Sequence, residues 1–76
     1  MEALKSQRQP LERLVRESER REITGVPTST WYMLMSEGRA PKSVPLGEHS
    51  RAWILSELQN WVAARIAERD ARAQQS

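Results

Sequence analysis

Apolar positions along this chain fall into short patches whose spacing predicts its elements. Trp31, Leu34 and Met35 stand at i, i+3 and i+4, which places them on one face of a helix. Pro27-Thr28-Ser29-Thr30 opens that helix, because proline lacks an N–H and suits the first helical turn. The run should reach about Glu37, with Gly38 as the residue that ends it. Upstream, Ser18 is the expected N-cap of a short helix from Glu19 to about Thr24. Glu19 would sit at its positive end, and Ile23 is its apolar anchor. Between the two helices, Gly25 supplies a tight turn and Val26 its buried side. The pattern is that of a helix-turn-helix.

The flanking segments are simpler. Leu11, Leu14 and Val15 suit a short strand or an extended entry into the core, although the surrounding Arg and Glu residues would also suit a helix. Pro41 and Pro45 exclude a continuing helix after Gly38 and fit an edge strand. Residues 46–50, Leu-Gly-Glu-His-Ser, read as a hairpin tip, and Arg51-Ala52-Trp53 as the return strand of a small wing. Ser56 and Gln59 match a capping box for a last helix, which carries Leu58, Trp61, Val62 and Ile66 on one stripe and extends to about Asp70. The expected fold class is mainly α with a small β-hairpin, a winged helix-turn-helix. Residues 1–10 are read as a flexible arm in which Lys5 and Arg8 could touch a phosphate backbone, residues 11–70 as the domain, and residues 71–76 as a frayed tail.

Composition narrows the function classes. The chain has 76 residues, enough for one modest core. It has no cysteine, and its single His49 has no acidic cluster around it, so neither a disulfide nor a metal site is expected. There is no glycine-rich phosphate loop and no Ser-His-Asp spacing, so no enzyme chemistry and no cofactor are expected. The longest apolar run is far below the ~18 residues of a membrane span, and residues 1–10 do not form a signal peptide, so a cytoplasmic location is expected. The formal charge is only +2. Its distribution is more informative, because residues 24–53 carry Arg39, Lys42 and Arg51 against Glu37 and Glu48. These bases lie just beyond the second helix.

A short helix that begins with hydroxyl side chains can enter a major groove and present them to base edges. Thr28, Ser29 and Thr30 are the candidates, although the same residues serve as ordinary helix caps and Thr30 is expected to be partly packed against the core. Tyr32 could reach a phosphate or lie at the core edge, and Met33 could meet a thymine methyl or stand exposed. Arg39, Lys42 and Arg51 are candidates for the phosphate backbone, while His49 and Ser50 sit at the wing tip, where the histidine could enter a minor groove. Arg20 and Arg21 could flank the duplex, since the first helix of such a motif crosses the backbone. Trp31, Trp53 and Trp61 are read as core.

Residues 13–66 resemble the AlpA family of small phage and prophage regulators, which is related to phage excisionases and to the MerR-like winged helix-turn-helix. The matching elements are Arg13-Leu14, Thr24-Gly25-Val26, Ser29-Thr30 with Tyr32, Gly38 with Pro41, Leu46-Gly47, Arg51 with Trp53, and Glu57 with Trp61. The resemblance implies a helix that reads the major groove and a wing on the neighbouring backbone. It also implies double-stranded DNA as partner, integrase or RNA polymerase as protein partners, and self-association on adjacent sites. The roles it implies are transcriptional regulation of mobile-element genes or, as a recombination directionality factor, excision. The chain departs from the family at Pro27, Thr28 and Met33, where members commonly carry serine, a basic residue and arginine, and at Ala40, where an aromatic is common. Its second helix therefore has no positive charge. That feature leaves a second expectation open, a winged-helix protein-interaction module that does not bind DNA.

Overall fold

The computed structural model describes residues 11–75, so the arm of residues 1–10, with Lys5 and Arg8, lies outside the described residues. Strand β1 (Leu14–Val15) leads into helix α1 (Glu17–Thr24) and then helix α2 (Thr28–Ser36). Strands β2 (Val44–Pro45) and β3 (Arg51–Ile54) form the wing, and helix α3 (Leu55–Gln75) completes the order. β3 is the middle strand of an antiparallel sheet ordered β1-β3-β2. Leu14 faces Ile54 and Val15 faces Trp53, while Val44 faces Ala52 and Pro45 faces Arg51. Pro45 is tolerated because β2 is an edge strand, where a missing N–H costs no ladder bond. A Leu46 N–H to Ser50 carbonyl bond of 2.8 Å closes the wing tip.

The turn between α1 and α2 follows from its sequence. Gly25 takes φ of 72°, and its N–H caps α1 on the Arg21 carbonyl. That left-handed conformation costs any residue with a Cβ about 1–2 kcal/mol. α2 ends in a Schellman turn. The Arg39 N–H reaches the Leu34 carbonyl at 2.8 Å and the Gly38 N–H reaches Met35 at 3.0 Å. Gly38, at φ of 73°, makes this geometry possible.

Helix starts and ends differ from several expectations. α1 begins at Glu17 with Arg16 as its N-cap, so Ser18 lies inside the first turn rather than capping it. Pro27 is the N-cap of α2, and Thr28 is its first helical residue. Ser56 caps nothing; α3 starts at Leu55, and the Ser56 hydroxyl donates to Glu12 Oε1 at 2.9 Å. α3 also continues past Asp70 to Gln75, correcting the expected fray over residues 71–75. That stretch, Ala-Arg-Ala-Gln-Gln, contains no glycine or proline and consists of strong helix formers. The first wing strand is shorter than the proline-bounded segment suggests, and the return strand extends one residue further, to Ile54.

The core lies where α2, β3 and α3 meet. Val15, Trp31, Ala52, Trp53 and Leu58 are buried, with Ile23, Val26, Leu34, Leu55 and Trp61 packed around them. Trp31 packs edge-on against Trp53 at 6.4 Å and against Trp61 at 5.1 Å between centroids. Such contacts add about 0.5–1.5 kcal/mol each beyond burial. Trp31 and Trp53 thus occupy the core, as expected, and Trp61 lies half-buried against it. No helix among the described residues is long and apolar enough to cross a membrane.

Candidate nucleic-acid interface

Arg20 is not on the surface. It is 0% exposed, which corrects its assignment as a flanking contact. Its Nε and Nη2 donate to the two Glu17 carboxylate oxygens, and its Nη1 donates to Thr24 Oγ1 at 3.1 Å and the Val26 carbonyl at 2.6 Å. The guanidinium lies over the Trp31 ring, 4.8 Å from its centroid. Burying a charge is tolerable only with such pairing. The residue ties α1 to the turn, and through the turn to the start of α2. Thr24 completes the knot, donating to the Arg20 carbonyl and accepting the Val26 N–H at 3.2 Å.

Glu17 carries this network to the surface. Thr28 Oγ1 donates to Glu17 Oε2 at 2.7 Å, joining the first turn of α1 to the first turn of α2. Burial alone would raise the Glu17 carboxyl. Hydrogen bonds from Arg20 and Thr28, with the charges of Arg20 and Arg21, outweigh it and hold the group below its ordinary value of 4.5.

Thr28, Ser29 and Thr30 are all exposed along the start of α2; Thr30 is not tucked against the core. Tyr32 and Met33 are 40% and 49% exposed, so the outward side of α2 presents a phenol and a thioether. The Tyr32 ring also meets the buried Trp53 ring edge-on at 6.3 Å, which fixes its direction. Tyr32 shares one open depression of about 440 Å³ with the wing residues His49, Ser50 and Arg51 and with Arg16 and Glu17 of the α1 entry. The structure therefore brings the second helix and the wing tip together. Two arginines and the histidine border this depression against one carboxylate.

Other candidates lie apart. Lys42 is exposed but lines a different depression, of about 580 Å³, with Ala40, Pro41, Val44, Ile54 and Glu57. Arg39 stands next to the end of α2, paired with Glu37 at 3.2 Å. Arg21 is exposed beside the Gly25–Pro27 turn. Arg51 Nη1 donates to Ser43 Oγ at 3.0 Å, which braces it across the wing. His49, almost fully exposed, lies 3.8 Å from Glu48. Arg16 and Glu17 are the additions that sequence did not single out. Placing the α1 start two residues late left both outside the motif, although Glu17, Arg20 and Thr24 stand at helical spacing on one face.

Two helices joined by a glycine turn and followed by a braced hairpin make this a winged helix-turn-helix domain. Within that class, the chain belongs to the family described as the prophage CP4-57 regulatory protein (AlpA), whose model matches residues 13–66. It is 41% identical over 58 residues to an uncharacterized protein, ORF88, of Enterobacteria phage P4. That match covers 76% of this chain and 66% of the phage protein, so the chain spans just under two thirds of that relative's length. No solved structure matches it. The family is a regulatory one, of prophage origin.

Proposed function

We propose that this chain is a sequence-specific double-stranded DNA-binding regulator that places α2 in the major groove and the wing on the adjacent backbone. The observation that carries this reading is the depression shared by Tyr32 and the wing residues His49, Ser50 and Arg51. Thr28, Ser29, Thr30 and Met33 supply hydroxyl and apolar contacts for base edges, and Arg16, Arg39 and Arg51 supply phosphate contacts. The family supports regulation of prophage genes. Control of excision beside an integrase is the second route by which such a domain acts on mobile DNA. The small net charge and the uncharged α2 limit phosphate contacts, so a single copy binds weakly and gains from copies on adjacent sites or from a partner such as RNA polymerase.

Gel-shift titration against the chain's own promoter and attachment-site regions, at several salt concentrations, tests this. Saturable binding to one region that weakens with salt is expected; binding indifferent to both sequence and salt defeats it. The uncharged α2 favours one other reading, a protein-interaction module with Tyr32 and Met33 as its contacts. Under that reading the double replacement Lys42→Ala and Arg51→Ala leaves function intact.

A further inference from the structure

We infer that Thr28 reads an exocyclic amino group, adenine N6 or cytosine N4, in the major groove. The inference rests on the DNA-binding reading above and deepens it. Thr28 is the first residue of α2 and is exposed, and its hydroxyl donates to Glu17 Oε2 at 2.7 Å. A hydroxyl has one proton and two acceptor lone pairs. Glu17 has no proton to return, because its carboxylate also accepts from the guanidinium of Arg20. Arg20 is itself fixed by Thr24 and Val26, so the core sets the direction of the Thr28 proton. What Thr28 offers outward is therefore a lone pair.

That restricts its partners. Phosphate oxygens, guanine N7 and O6, and thymine O4 are acceptors and gain nothing from a lone pair. Adenine N6 and cytosine N4 are the groove-edge donors. A helix-start threonine with a free proton could bind either kind of group or a phosphate. Here the carboxylate removes the donor role, and its negative charge disfavours a phosphate at the same spot. A packing contact on α1 is thereby converted into base selectivity on α2.

The test uses the full chain and a randomised duplex library. After selection, the preferred duplex is rebuilt with purine for adenine, or 2-pyrimidinone for cytosine, at each position in turn, which deletes only the amino group. Deletion at one position should weaken binding by the original chain about three- to tenfold. Thr28→Val should bind the intact and deleted duplexes equally at that position, while Thr28→Ser keeps the discrimination. An enriched sequence that Thr28→Val selects unchanged, or an enriched duplex in which no amino-group deletion on either strand weakens the original chain more than Thr28→Val, overturns this inference and leaves the DNA-binding reading standing. A library that yields no enriched duplex overturns both.

Discussion

The guanidinium of Arg20 lies 4.8 Å from the centre of the Trp31 ring, and both side chains are fully buried. A charged group thus occupies the centre of an aromatic core, held there by Glu17, Thr24 and the Val26 carbonyl. The pair joins α1 to α2 more directly than apolar contacts alone could.

Arg20→Ala should therefore be severely destabilising. Removing one partner of a buried pair costs about 3–5 kcal/mol, and the lower end applies because the Glu17 side chain stays 34% exposed. In a domain of this size such a loss lowers Tm by 10 °C or more, roughly, as read by circular dichroism. Arg20→Met should lose less than Arg20→Ala, since it restores the stem that packs on Trp31.

Acid should release the same network. The folded-state value of Glu17 lies below its unfolded one, so the folded chain binds fewer protons. The resulting stability is complete above the ordinary carboxylate value of 4.5 and is lost as pH falls through the depressed folded value. Urea midpoints of the original chain and Glu17→Gln, measured from neutral pH down to about pH 3, should differ by a constant amount above that range and converge within it. A gap that stays constant throughout contradicts the assignment.

Salt dependence should separate the wing arginine from the wing lysine. Arg51 borders the depression that Tyr32 lines, whereas Lys42 borders another. Arg51→Ala is expected to weaken DNA binding uniformly across sequences and to reduce the slope of log K against log salt by about 1. Lys42→Ala should change that slope less. Equal changes would place both bases on one binding surface.

Trp61 should matter through its N–H as well as its ring. Its Nε1 donates to the Arg39 carbonyl at 2.8 Å, securing the chain as it leaves α2. Trp61→Phe keeps an aromatic beside Trp31 but loses this bond, at a cost of about 1–2 kcal/mol in urea denaturation with an unchanged m-value.

Much of this architecture is legible in the sequence. Trp31, Leu34 and Met35 declare the inward face of α2 by spacing, Gly25 and Gly38 mark its bounds, and the prolines around Lys42 announce the wing. The partner of Leu14–Val15 is not legible, because nothing local in either segment specifies that Val15 pairs with Trp53. Arg20 was hidden for another reason. It stands in an Arg- and Glu-rich run that reads as a solvated face, and only the turn folding back supplies the acceptors that let it be buried. The site divides in the same way. The exposed row on α2 follows from helical periodicity, whereas the meeting of Tyr32 with His49 and Arg51 needs the sheet to set the wing's position.

Because β3 takes β1 on one edge and β2 on the other, the beginning of the described chain is sewn to its last third, as the Ser56–Glu12 bond across 44 positions also records. A growing polypeptide on the ribosome cannot close this domain until the residues after the wing have emerged. Until then the indole of Trp31 has neither Trp53 nor Trp61 to cover it, and the nascent first half must wait, sticky and unfinished, for the remainder.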